Sequence, residues 1–138
     1  MIVRRLGPGD EPVVERLAEA ENERPQTALL HDDRTIFLAA LDDETPVGFL
    51  YGYDIPRRHG NPSIFFVYEV DVEPAWQRRG VATQLFRELE RILCARGVRE
   101  AFVLTNASNE PAMRLYESVG GVRPNDDDVM WDFEYAAS

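Results

Sequence analysis

The chain has 138 residues, 44% of them hydrophobic and 29% charged, with a formal net charge of −10. That length suits one domain, residues 1–138, with a core of its own. The acid excess argues against nucleic acid as a partner, because that affinity rests on Lys and Arg set against phosphates, and it favours cationic partners instead. All 15 basic side chains are Arg. No apolar run is long enough for a membrane span, and Met1-Ile2-Val3-Arg4-Arg5 lacks the apolar stretch of a secretory signal. A lone cysteine, Cys94, excludes an intrachain disulfide, which fits a cytoplasmic protein. No Cys/His cluster points to a metal.

Ile2 to Leu6 reads as a first strand, broken by Gly7-Pro8-Gly9-Asp10, with Asp10 as an N-cap and Pro12 in the first helical turn. Val13, Val14, Leu17 and Ala18 keep helical spacing to about Glu21, and Gln26 to His31 is a short second helix. Thr35 to Leu41 and Pro46 to Asp54 are strands joined at Asp42-Asp43-Glu44; Ile55 to Pro62 is a loop. Ser63 to Val72 is a central strand, Val81 to Arg96 a long helix and Glu100 to Thr105 another strand. Strand, helix and strand in that order imply a right-handed parallel crossover. Pro111 to Val119 is a helix capped by Asn109, and Val129 to Glu134 alternates as a final strand. His31 and His59 read as surface histidines, Cys94 as a small packing residue and Trp76 as a packing wedge.

The most informative stretch joins the central strand to the long helix. Val81, Leu85, Phe86, Leu89, Ile92 and Leu93 form one apolar stripe, and Arg96-Gly97 closes the helix. Its first turn offers backbone N–H groups without intrahelical partners, and the peptide dipoles add positive charge there. Gln77-Arg78-Arg79-Gly80-Val81-Ala82 places two arginines and two small residues at that point, which suits a phosphate-bearing ligand. The plainer reading is a surface helix entry whose glycine relieves sterics. The segment is neither a Walker A loop nor a Gly-x-Gly-x-x-Gly fingerprint.

Gln77-x-x-Gly80-x-Ala82 behind Val70-Asp71-Val72-Glu73-Pro74 resembles the acetyl-CoA motif of the GCN5-related N-acetyltransferase (GNAT) superfamily. Asn109, followed seven residues later by Tyr116 and then by Gly120, resembles the superfamily's later motif. The resemblance implies an α+β GNAT fold: a mixed sheet of six to seven strands, about four flanking helices, and two parallel strands splayed at the cofactor cleft. It also implies acetyl-CoA as cofactor. The backbone of Val70, Asp71 and Val72 would meet the pantetheine arm, Arg78, Arg79, Gly80, Val81, Ala82 and Thr83 would hold the pyrophosphate, and Gln77 would be a further cofactor-binding residue. Asn109 and Tyr116 would also touch the cofactor.

Acetyl transfer to nitrogen requires a neutral amine. On the central strand Ile64, Phe66, Tyr68, Val70 and Val72 alternate with Phe65, Val67, Glu69 and Asp71, so Glu69 and Asp71 point the same way, roughly 6–7 Å apart. One of this pair, Glu69 ahead of Asp71, is the candidate general base. The plainer alternatives are an ion pair with a neighbouring arginine or an anchor for a cationic substrate. Tyr116 is a candidate proton donor to the leaving thiolate, or else a packing residue. Asp126, Asp127 and Asp128 form an acidic run that is either a solvated turn or, with Glu69, part of the substrate site. The strand Phe66 to Val72 and the ending Asp127 to Phe133 resemble the type I aminoglycoside 3-N-acetyltransferases, which implies a polycationic amine substrate. A protein N-terminus or a small-metabolite amine is the alternative, and a non-catalytic acyl-CoA-binding module the third. The transfer would be direct, without a covalent enzyme intermediate. A homodimer is a further possibility.

Overall fold

A computed structural model describes residues 1–137. Five strands form one sheet in the order β1 (Ile2–Arg5), β2 (Thr35–Asp42), β3 (Thr45–Ile55), β4 (Ile64–Val72) and β5 (Ala101–Val103). Neighbours from β1 to β4 are antiparallel, and β4–β5 is parallel. Three α-helices accompany the sheet: α1 (Glu11–Ala20), α2 (Val81–Ala95) and α3 (Glu110–Ser118). The segment expected as a second helix is a single 3-10 turn, Ala28–His31. Among the described residues no helix is long and apolar enough to cross a membrane.

β2 shows why the sheet lies between two layers. Seven of its eight residues are buried, as a near-continuous apolar run requires. Ile36, Leu38 and Ala40 face α2 with Leu85, Leu89, Ile92 and Leu93, whereas Phe37, Ala39 and Leu41 face α1 with Val14. The α2 stripe is buried as its periodicity implies, except that Phe86 is only partly covered. Its end is also as expected. Gly97 (φ 75°) donates to Cys94 O at 3.1 Å and Val98 to Leu93 O at 2.9 Å, a Schellman closure with Val98 buried beside Leu93.

Three expectations need correction. The simple alternation along β4 fails at Tyr68. Tyr51 pairs with Glu69 but Gly52 pairs with Val67, so one extra residue is bulged out of β4. Phe65, Val67, Val70 and Val72 therefore all pack toward α2, and Glu69 and Asp71 remain on the α1 side. Gly52 makes this possible, because a Cβ there would lie 2.0 Å from Phe66 O. Cys94 is exposed rather than a packing residue, since it falls outside the buried stripe. Finally, Val129–Glu134 forms no strand, so the sheet has five strands and not six or seven, and three helices stand where about four were expected. A strand is defined by its partner, and β5 gives this segment none within the chain. β5 itself is three residues long instead of the six from Glu100 to Thr105.

Candidate active site and cofactor cleft

The cleft begins where two parallel strands part. β4 and β5 pair only through Phe65–Ala101, Phe66–Phe102 and Val67–Val103. Among the described residues, no strand lies on the β5-facing edge of β4 beyond Val67. Glu73 N–H donates to Val47 O at 2.9 Å. By antiparallel alternation, Asp71 then also turns its backbone groups to β3, and Val70 and Val72 turn theirs to the open edge. Both polar groups of Val72 on that edge are engaged by side chains. Its N–H donates to Asp71 Oδ1 (2.9 Å), and its carbonyl accepts from Gln77 Nε2 (3.0 Å).

The edge leads to the α2 N-terminus. Arg78 (φ 63°) and Gly80 (φ 78°) both adopt the left-handed region, in the kind of turn that gathers N–H groups into an anion-binding concavity. The first i→i−4 bond is Gln84 N–H to Gly80 O at 3.0 Å. Among the described residues, the N–H groups from Arg78 to Thr83 have no backbone acceptor. Arg78, Arg79 and Gly80 are exposed, Val81 is buried beneath them, and the Arg79 guanidinium lies 5.0 Å from the centre of the Trp76 ring. The helix end reaches the sheet because β3 carries Gly48 opposite it. A Cβ at Gly48 would stand 3.0 Å from Val81 Cγ1 and 3.2 Å from Asp71 O.

Acids and aromatics collect on the α1 side of the same edge. The Tyr51 phenol faces Glu69 across the bulge, and Tyr51 stands 5.5 Å from Tyr68 and 6.1 Å from Tyr53, ring centre to ring centre. Partial burial raises the Glu69 carboxyl above the usual range; Tyr51 pulls it down, and the charges of Glu23, Asp71 and Glu21 push it up again. The Tyr51 phenol is raised, first by its own burial and then by the Glu69 charge. A shallow cleft runs from Leu17, Ala20 and Glu21 at the end of α1, past Gly48 and Phe49, to Asp71, Val72 and Gln77. It connects this acidic side to the open β4 edge.

The remaining candidates are less concentrated. Asn109 caps α3, its Oδ1 accepting from Ala112 N–H at 3.2 Å. Tyr116 is half-buried, edge-on to Phe86 at 5.9 Å, and burial raises its phenol. Asp126 pairs with Arg123 at 3.4 Å, and Asp127 N–H donates to Asn125 Oδ1 at 2.8 Å, so the acidic run forms a local, exposed turn. Nothing among the described residues joins Asp126, Asp127 or Asp128 to Glu69. Sequence reasoning missed Tyr51, Glu21 and Glu23. The acid run Glu19-Glu21-Glu23 was a visible signal; Tyr51 was not, because only the β3–β4 register sets it against Glu69.

This geometry coincides with what the chain resembles. The model of the acetyltransferase (GNAT) family matches residues 7–121. The chain belongs to that family. A mycothiol acetyltransferase from Thermomonospora curvata is 36% identical over 92 residues, 67% of this chain but 29% of its own length. The chain thus spans less than a third of the curated relatives it matches. An aminoglycoside acetyltransferase, HMB0005, from an uncultured soil metagenomic sample is 30% identical, with a TM-score of 0.80 over 98% of both chains. Two others share the fold at lower identity. One is meta-AAC0020 from a soil metagenomic sample, solved with sisomicin (21%, TM-score 0.79, 99% of this chain and 96% of that one). The other is AAC(6')-Iy, solved with CoA (20%, TM-score 0.74, 98% of this chain and 100% of that one).

Proposed function

We propose that this chain is an acetyl-CoA-dependent N-acetyltransferase acting on a primary amine of a polycationic small molecule, with aminoglycosides the best fit and their 3-amino group the expected position. The observation that carries the reading is the open β4 edge, which runs from the partnerless N–H groups at α2 to a carboxyl raised above its ordinary range, Glu69. The N–H groups of Arg78 to Thr83 take the pyrophosphate, and Val70 and Val72 the pantetheine amides. Glu69, directly or through water, takes the ammonium proton, and the neutral amine then attacks the thioester carbonyl. Asp71 stands beside it on the same face and adds negative charge. The acyl carbon–sulfur bond breaks as the amide forms, and Tyr116 returns a proton to the departing thiolate. Glu21, Glu23 and the aromatic rings of Tyr51, Tyr53 and Tyr68 suit ammonium groups of the same substrate. Asp126, Asp127 and Asp128 would add distant attraction. A soluble, cytoplasmic setting accords with the use of acetyl-CoA.

The relatives named mycothiol acetyltransferases favour a second reading, the same chemistry on another small-metabolite amine. A panel of gentamicin, kanamycin, spermidine and amino sugars, with CoA thiol release followed and products placed by mass spectrometry, separates the two. Acetylation of gentamicin at its 3-amino group is the expected result. Turnover confined to simple amines would overturn the aminoglycoside assignment, and tight acetyl-CoA binding without turnover on any amine would overturn the enzyme.

A further inference from the structure

The bulge in β4 re-aims Tyr68 as well as shifting the register of the strand. In a regular strand two consecutive residues point to opposite faces. Here Tyr68 and Glu69 both stand on the α1 side: the Tyr68 ring lies 5.5 Å from Tyr51, and Tyr51 also faces Glu69. Turning a side chain toward a neighbouring site is a common use of such bulges. Tyr68 touches three rings and is still 59% exposed. From it the rings continue across the sheet. Tyr68 stands 5.8 Å from Phe66, and Phe66 stacks on Phe102 of β5, 4.7 Å apart and 10° from parallel. With Phe66 against one face, Phe102 turns its other face to the outer edge of the sheet and is 38% exposed. The apolar cluster under α1 ends at Phe49 and Tyr51, and Tyr68, Phe66 and Phe102 belong to neither buried cluster. A contiguous apolar patch left uncovered beside a group of acids marks a place where a ligand lies.

The two ends of this aromatic wall differ in chemistry. At Glu69 it is acidic, with Glu21, Glu23 and Asp71 close enough for their charges to act on that carboxyl. Toward Phe102 it offers only hydrocarbon, because a phenyl ring carries no polar group. A linear polyamine would satisfy the acids and leave the rings bare. A six-membered sugar or aminocyclitol ring has polar groups at its rim and C–H bonds on its faces, which suit the electron-rich face of an aromatic ring. Strand rise and spacing put Phe102 roughly 10 Å from Glu69, a span that two linked rings cover and one does not. Resting on the acetyltransferase reading above, we propose that Tyr68, Phe66 and Phe102 form a stacking subsite for a second sugar ring, next to the ring whose amine meets Glu69. The substrate class is then an amino-oligosaccharide of at least two linked rings, and these three aromatics set the preference for it over one-ring and linear amines. They position the substrate and take no part in proton transfer.

Transfer kinetics on amines that share one acceptor ring test the subsite: 2-deoxystreptamine alone, neamine with a second ring, and kanamycin B with a third. The native chain is expected to favour neamine and kanamycin B by tenfold or more in kcat/KM. Phe102→Ala is expected to erase that preference through KM rather than kcat, and Phe102→Trp to retain it. Tyr68→Ala gives the same readout should the Phe102 variant not fold. A preference that survives both alanine variants would overturn the subsite while leaving the acetyltransferase reading in place. Saturation-transfer NMR with maltose, a two-ring sugar without an amine, needs no turnover and decides the matter even if no aminoglycoside is acetylated. Signal on the maltose ring C–H protons that is lost in Phe102→Ala is the expected result. No signal from the native chain, as an apolar polypeptide seated on this face would give, overturns the proposal, and so does a signal indifferent to Phe102.

Discussion

Glu69, the proposed base, and Tyr51 face each other as a cross-strand pair. Burial and the charges of Glu23, Asp71 and Glu21 hold the Glu69 proton more tightly than in an ordinary glutamate, and the Tyr51 phenol opposes them. Tyr51→Phe removes the opposing effect. The acid limb of kcat/KM is expected to move to higher pH in that variant, with acetyl-CoA affinity unchanged; an unmoved limb would separate Tyr51 from the base. The raised carboxyl also has a consequence for stability. The folded state binds this proton more tightly than the unfolded chain, so the stability it confers is complete below the ordinary glutamate pKa and is lost as pH rises through the folded value. Glu69→Gln should therefore stabilise the protein slightly at neutral pH relative to wild type, and the gain should vanish in acid, as thermal melts at the two pH values would show. Glu69 and Asp71 were legible in the sequence because strand periodicity places residues two apart on one side. The bulge between Val67 and Glu69 left that relation intact while changing which alternate residues of β4 face α2, from Phe65 and Val67 before it to Val70 and Val72 after it.

At the scale of elements, local rules account for α2 well and for β4 and the last segment poorly. The apolar stripe, the entry glycine and the Gly97 closure of α2 are all short-range features, and each appears as its residues imply. The bulge depends instead on Gly52, sixteen residues away on β3, whose role no local pattern in β4 reveals. A glycine inside an alternating strand was the available signal. Gly52→Ala is expected to cost about 2–4 kcal/mol, since its Cβ meets backbone rather than a movable side chain. Urea denaturation would show a lower midpoint with an unchanged slope. Gly80→Glu strains a left-handed residue and sets a carboxylate among the free N–H groups. CoA affinity should fall by tenfold or more in calorimetry, with little loss of fold because open space surrounds that position. The final strand was misread for a different reason: alternation identifies a segment able to pair, but not the partner that makes it a strand.

The whole molecule is a sheet clasped by α1 and α2, with Glu21, Glu23, Glu69 and Asp71 grouped on the α1 side and a half-covered edge at β5. A net charge of −10 should raise the encounter rate for polycations and leave neutral amines unaffected. Added salt is therefore expected to raise KM for an aminoglycoside several-fold while hardly changing KM for acetyl-CoA, whose proposed contacts are backbone N–H groups. The family was legible because two short motifs, Gln77-x-x-Gly80-x-Ala82 and Asn109 to Tyr116, resemble it, and both lie within the matched residues 7–121. The proposed substrate side was less so, because Tyr51, Glu21 and Glu23 converge on Glu69 only through tertiary register. The central claim, a base at Glu69 on an intact cofactor edge, is tested most directly by thiol release from acetyl-CoA with gentamicin, measured from acid to mildly alkaline pH in wild type and Glu69→Gln. The account predicts a fall in kcat of about 10²–10⁴ and loss of the acid limb, with acetyl-CoA affinity retained. An unchanged rate and pH profile in the variant would contradict it.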